Sequence, residues 1–199
     1  MGDFVNAAIA ASNLSDLLRI HGNLTQAVTI AQRGVELALE ANDMFHLMRN
    51  ITTLAAAEHA LGRQQEAAAL FQEAERTQQE RQSGHPLLHS LPGFRYCDML
   101  FDARLAADVL TRATQTLEWA GMHDVSIDVA LDHLSLGRAH LLAAQRDATG
   151  DVAQAASHIK DSVDGLRRVG AQDYLPLGLL ARAALHTHTL SDSALVSSR

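Results

Sequence analysis

Histidine is the residue type in this chain with the widest chemical range, because an imidazole binds transition metals and titrates near neutral pH. The chain has 11 histidines. Pairs with a short spacing or a shared helical face are His85 with His89, His133 with His140, and His186 with His188. A zinc site needs three or four convergent ligands, and the H-E-x-x-H motif is absent: His85 and His89 lie four residues apart, but Pro86 stands where that motif has glutamate. We interpret the histidines as surface or groove residues of helices, and we predict no metal site and no cofactor.

Nucleophilic chemistry has equally little support in the sequence. Cys97 is the single cysteine, and it lies in the middle of a predicted helix, whereas a reactive thiolate needs a helix N-terminus or a cationic partner. We interpret it as a packed, structural residue, and its solitary state fits a reducing compartment. No G-x-S-x-G elbow and no phosphate-binding loop occurs. The sequence therefore predicts no catalytic residue, and we expect a protein that is not an enzyme.

The overall composition favours packed helices. Of the 199 residues, 47% are hydrophobic but only 4% are aromatic, and three are proline. Alanine is abundant, whereas the β-branched and aromatic residues that stabilise sheets are scarce.

The charge balance argues against two classes of partner. Lysine and arginine number 16 against 23 acidic residues, giving a net charge of −7, so neither nucleic acid nor an anionic membrane is an expected partner. No apolar run approaches the roughly 18 residues of a membrane span. The start of the chain also lacks the basic and apolar regions of a signal peptide. We expect a cytoplasmic protein.

Two segments of the chain repeat the same spacing, 40 residues apart. The residues 5, 9 and 12 places after Gly22 are Ala27, Ala31 and Gly34, and those after Gly62 are Ala67, Phe71 and Ala74. A glycine there ends one helix and permits a tight turn into the next, while the small residues let two antiparallel helices approach closely. Asn23, Asn42 or Asp43, and Asp151 stand where the N-caps of helices are expected.

This pattern resembles the tetratricopeptide repeat, a helix–turn–helix unit of about 34 residues. The stretch from Leu61 to Ala74 matches it best. The 40-residue period is similar to a longer-repeat subclass found in bacterial regulators and in the sensor regions of large signalling ATPases.

The resemblance covers about residues 7–170 and is looser in the second half. A third pair is predicted over residues 87–101 and 104–120, without a turn glycine and with Val109, Ala113 and Leu117 at the small positions. In a fourth pair, Leu136, Gly137 and His140 fit the first helix, and Ala155, Ile159 and Ser162 fit the second.

The resemblance implies an all-α fold, an α-solenoid of antiparallel helix pairs in a right-handed superhelix. We predict a single repeat domain over residues 1–187, with about four helix pairs and a C-terminal helix from Asp173 to His186. A polar tail is predicted over residues 188–199.

Repeat arrays of this type bind ligands on the concave surface that the first helices line. Projection of the repeat places these residues there: Asp16, Arg19, Arg49, Thr52, His59, Asp98 and Arg138. The arginines are suited to carboxylates of a protein or peptide partner. The leading hypothesis is a non-enzymatic binding scaffold. The alternatives are a regulatory region of a larger bacterial signalling protein and a small-molecule or metal-responsive regulator.

The C-terminal helix is apolar on more than one face. Leucines such as Leu177 and Leu180 cannot all be covered by the fourth pair if the helix buries only one stripe. Exposed apolar patches usually mark interfaces. We therefore predict that this end self-associates, as a homodimer, or docks a neighbouring domain.

Overall fold

The computed structural model describes the backbone of residues 2–121, 126–147 and 151–197, and the side chains of residues 2–121, 126–146 and 151–190. All regular secondary structure in these ranges is helical, in nine α-helices, which confirms the all-α prediction. None of the helices in these ranges is long and apolar enough to cross a membrane.

The chain divides into two compact units, Met1–Leu88 and His89–Arg199. Unit 1 contains α1 (Gly2–Ile20), α2 (Leu24–Glu40), α3 (Met44–Ala60) and α4 (Gln64–Arg81). Unit 2 contains α5 (Ser90–Asp102), α6 (Ala106–Ala120), α7 (Ile127–Asp147), α8 (Val152–Arg168) and α9 (Leu175–Ser197). The last helix therefore continues beyond its predicted end at His186.

Within each unit, the helices pack in sequential pairs with antiparallel-like contacts. Each helix contacts the next along the chain, from α1 to α4 in unit 1 and from α5 to α9 in unit 2. The first helices of neighbouring pairs also meet, since α1 contacts α3 and α5 contacts α7, and the last helix, α9, contacts α7 as well.

One turn geometry connects most of the helices. In five turns a residue adopts a positive φ: Gly22 (80°), Asn42 (52°), Gly62 (86°), Arg104 (64°) and Gly170 (70°). In the Gly62 turn, the N–H of Gly62 donates to the carbonyl of His59 and the N–H of Arg63 donates to that of Glu58, both at 2.9 Å. The other four turns make the same two bonds in the same register. This is the Schellman arrangement, which satisfies carbonyls at a helix C-terminus and reverses the chain.

The small positions of the repeat are buried in all four second helices. Ala27, Ala67 and Ala74 are each 0% exposed, as predicted. The corresponding residues of unit 2 are buried as well: Val109, Ala113 and Thr116 in α6, and Ala155, Ile159 and Ser162 in α8. The assignment of Leu117 in α6 is wrong by one residue, because Thr116 lies 12 residues after the turn residue Arg104 and Leu117 is half-buried.

Two of the predicted N-cap residues accept capping hydrogen bonds. The Asp43 carboxylate accepts hydrogen bonds from the N–H groups of Phe45 and His46, at 3.0 and 3.1 Å. Asp151 caps α8 in the same way. Asn23 is the N-cap residue of α2, as predicted, but its side chain makes no capping hydrogen bond.

Ala67→Leu should destabilise the fold by about 1–3 kcal/mol, because the buried position has no room for the added atoms. Ala69→Leu is the matched control, since Ala69 lies on the same helix and is exposed. Urea denaturation measures both variants. Equal midpoints for the two would show that the helix contact does not depend on a small side chain.

Arg104→Gly should stabilise the fold by about 0.5–1 kcal/mol, because a Cβ at positive φ costs roughly 1–2 kcal/mol and only part of that is offset by the flexibility of glycine. Arg104→Ala removes the same charge but keeps the Cβ, and should give no gain. The unfolding midpoint in urea decides between them. An equal gain in both variants would assign the effect to the charge of Arg104 rather than to its backbone.

Candidate functional site

A cavity of about 240 Å³ opens between α5, α7 and α9. Helix α5 contributes Phe101, α7 contributes Arg138, Leu141, Leu142 and Gln145, and α9 contributes Leu177, Leu180, Ala181 and Ala184. Helices α5 and α7 are the first members of their pairs in unit 2, and α9 packs beside α7 where the first helix of a further pair would lie. We call this cavity the α5–α7–α9 pocket.

The packing of α9 on α8 explains why the pocket stays open. A Cβ added to Gly178 would lie 3.1 Å from Val163 Cγ2, so α9 approaches α8 closely at that point. Ala181 and Leu185 are each only 7% exposed on the same side of the helix. Leu180 is 66% exposed, so the closest helix contact leaves this leucine at the edge of the pocket.

Arg138 forms a rigid, charge-compensated wall of the pocket. Its Nη1 donates to Asp98 Oδ1 at 2.6 Å, and its guanidinium carbon lies 4.0 Å from the centroid of the Phe101 ring. A second carboxylate would have to compete with Asp98 for this arginine. The pocket is therefore better suited to an apolar group than to an anion.

The predicted concave-surface residues fall in both units and have different environments. In unit 2, Asp98 and Arg138 pair with each other. In unit 1, Asp16 and Arg19 form an ion pair at 3.5 Å. Two of the three arginines predicted to grip a ligand therefore already face a carboxylate of the chain.

The remaining predicted residues lie on α3. Thr52 is 0% exposed and its hydroxyl donates to the Arg49 carbonyl at 2.8 Å, so its assignment to a ligand-binding surface is corrected. His59 is half-buried, and Arg49 is exposed.

Leu177 and Leu180 lie in the same pocket as Arg138. Sequence reasoning assigned the leucines to a terminal interface and the arginine to a groove, and it missed the other walls. The signal for α7 was present: Arg138, Leu141, Leu142 and Gln145 follow the spacing of one helical face. No local sequence pattern predicts that this face of α7 packs near α9.

Three histidines cluster where α7 meets α8. His133 and His140 share a face, as predicted, and His158 of α8 lies between them. The Nδ1 atoms of His133 and His158 are 2.8 Å apart, so one ring donates and the other accepts. The rings of His140 and His158 stack, with centroids 5.8 Å apart and planes inclined by 8°.

The environment of this cluster favours neutral rings. Burial is the main cause that lowers the pKa of His133, His140 and His158, and the charges of Asp161 and Asp151 oppose it only in part. Stacked rings do not converge on one point. Among the residues with described side chains, no group of three or more His, Cys, Asp or Glu is arranged to hold a metal ion.

The interior of unit 2 holds two further titratable groups. Cys97 is buried, as interpreted from the sequence, and burial raises the pKa of its thiol to about 12. Burial also raises the pKa of Asp132 to about 7, against the opposing effect of a hydrogen bond from Thr116 at 2.9 Å. The thiol is therefore protonated at neutral pH and is a poor nucleophile.

No model of a known protein family matches this chain, and no curated protein matches its sequence. The geometry of the pocket and the register of the helix pairs are therefore the observations that bear on function.

Because of the histidine cluster, we expect the free energy of unfolding to fall as the pH drops through 6.5, the ordinary pKa of these side chains. The unfolded chain takes up protons there before the folded chain does, and this favours unfolding. Urea denaturation one pH unit above and below that value measures the effect. His158→Gln removes the central ring and should reduce the pH dependence.

Asp132 contributes with the opposite sign. Its raised pKa means that the folded state binds a proton first, so this group stabilises the fold as the pH falls through 7. The contribution of the histidine cluster is therefore the difference between wild type and His158→Gln in how the free energy of unfolding changes with pH. His21→Gln, at an exposed position of unit 1, is the control and should behave as wild type. An unchanged pH dependence in His158→Gln would contradict the assignment.

Proposed function

We propose that this chain is a non-enzymatic helical-repeat protein of the tetratricopeptide type, which binds a protein or peptide partner. The partner inserts apolar side chains into the α5–α7–α9 pocket. The observation that carries this proposal is the place of the pocket on the stacked first helices, because arrays of helix pairs bind ligands on that surface.

The register of the helix pairs supports the tetratricopeptide-type assignment. In unit 1, the turn residues Gly22, Asn42 and Gly62 follow one another at intervals of 20 residues, with the same backbone bonds at each turn. A helix, a turn and a helix therefore fill each 40-residue period. The three buried positions of α2 recur with the same spacing in α4, α6 and α8.

The size and polarity of the pocket favour apolar side chains over a complete small molecule. Sites that enclose small-molecule ligands usually measure about 300–1,000 Å³, whereas this pocket measures about 240 Å³. Because Asp98 already compensates Arg138, the ligand needs no charge of its own. These features weigh against the small-molecule regulator and favour insertion of side chains from a peptide or helix.

Leu180 is the residue on which such binding depends most. It is 66% exposed at the edge of an apolar pocket, and fully burying a leucine side chain is worth about 1.5–3 kcal/mol. Gln145, at the C-terminal end of α7, adds an amide that can hydrogen-bond to a peptide backbone. A second copy of the chain, docked through α9 as a homodimer, would use the same leucine.

Selection of a phage-displayed random peptide library on the purified protein tests this proposal. We expect peptides with closely spaced apolar residues, bound by the wild type and at least about tenfold more weakly by Leu180→Glu, since that change places a charge in an apolar site. Leu190→Glu is the matched control, because Leu190 is 71% exposed on the same helix and does not line the pocket. Calorimetric titration gives the affinities.

Peptides that bind Leu180→Glu as tightly as wild type would place the site elsewhere. Failure to select any peptide would contradict peptide binding. Sedimentation at micromolar concentration tests the homodimer: a dimer that Leu180→Glu dissociates would make the second copy the occupant of the pocket.

A further inference from the structure

Two arginines of unit 1 converge on one exposed aromatic ring. The guanidinium carbon of Arg49 lies 5.6 Å from the centroid of Phe45, and that of Arg81 lies 5.4 Å from it. Both distances are within the range of a cation–π contact. Phe45 itself is 41% exposed, and both arginines are exposed too.

Neither arginine forms an ion pair within the described part of the chain. Three carboxylates of the chain face other arginines: Asp16 faces Arg19, Glu58 faces Arg63, and Asp98 faces Arg138. The carboxylate nearest in sequence to Phe45 is that of Asp43. It is engaged by the N–H groups of Phe45 and His46, and its Oδ2 lies 3.0 Å from His46 Nδ1.

The surrounding structure holds the two arginines in place. Phe45 belongs to the first turn of α3, which Asp43 caps, and Arg49 follows one turn later on the same helix. Arg81 is the last residue of α4, the helix that packs antiparallel-like against α3. A guanidinium that rests near an aromatic ring keeps its in-plane N–H donors for a planar anion.

We propose that Phe45, Arg49 and Arg81 form a second binding site, which takes a short acidic segment of a protein partner. Glutamate or aspartate carboxylates pair with the two guanidinium groups, and an apolar residue between them covers the exposed edge of Phe45. This site belongs to unit 1 and does not depend on the pocket of unit 2.

The charge of the whole chain favours a peptide over other anions. Nucleic acid and anionic membranes are polyanions that require an extended basic surface, whereas this chain carries a net charge of −7. Two arginines are enough for a pair of carboxylates within one short segment. Exposed charge pairs contribute little each, so we expect weak binding that depends on both arginines together.

A defined peptide tests the site directly. The probe is the blocked pentapeptide Glu-Glu-Leu-Glu-Glu, and its counterpart with glutamine at all four acidic positions is the uncharged control. Titration into the ¹⁵N-labelled chain should shift the Nε–Hε resonances of Arg49 and Arg81 in a saturable way, and the glutamine peptide should not. Arg49→Gln and Arg81→Gln should each weaken binding about threefold, and the double variant about tenfold.

Arg76→Gln is the matched control, because Arg76 is an exposed arginine of the same helix as Arg81 and is absent from the Phe45 contact. It should bind the pentapeptide within twofold of wild type.

Equal weakening in Arg76→Gln would show that the effect comes from net charge alone and would overturn the site. Unshifted Arg49 and Arg81 resonances would also overturn it. Binding of phosphatidylserine vesicles, but not of the pentapeptide, would show that the ligand of this site is a membrane surface and not an acidic peptide. Since the pocket of unit 2 is intact in these variants, failure here leaves the proposed function standing.

Discussion

The close approach of neighbouring helices is the constraint on which the rest of this structure depends. Small residues permit it: a Cβ added to Gly34 would clash with Asn50 Oδ1, and one added to Gly137 would lie 2.6 Å from Ile159 Cγ1. Large side chains at these points would push the helices apart, and the pairs would lose their shared buried face. Because five turns reverse the chain with the same backbone geometry, this contact recurs along both units.

The same constraint produces the pocket of unit 2. Helix α9 packs closely against α8 at Gly178, and this contact determines which side of α9 is buried. The helix has leucine and alanine around most of its circumference, so one buried side leaves another without cover. Leu180 lies on that uncovered side, opposite the face of α7 that carries Arg138. An open apolar pocket thus arises from an excess of apolar residues over the area that the neighbouring helices can bury.

The sequence predicted those features of the fold that depend on local residue types. Gly22 and Gly62 mark their turns because glycine adopts a positive φ at low cost, and the alanines that follow mark the helix contact. Arg104 could not be found in this way, since arginine has no preference for that conformation, and the loss of the glycine marker led to the error between Thr116 and Leu117. The candidate site was found only in part. The burial of Thr52 and the shared pocket of Leu180 and Arg138 both depend on the packing of helices that are distant in the sequence.

The arginines of this chain differ in what faces them, and this difference separates those that brace the fold from those that we propose for binding. Arg63 pairs with the buried carboxylate of Glu58 across the turn between α3 and α4, where loss of the arginine would leave a buried charge without a partner. Arg138 braces α5 against α7 through Asp98. The chain has 23 acidic residues against 16 basic ones, so an arginine without a carboxylate is not the result of a shortage of acids. For Arg49 and Arg81 it results from their position beside the ring of Phe45, where no carboxylate of the described residues forms an ion pair with them.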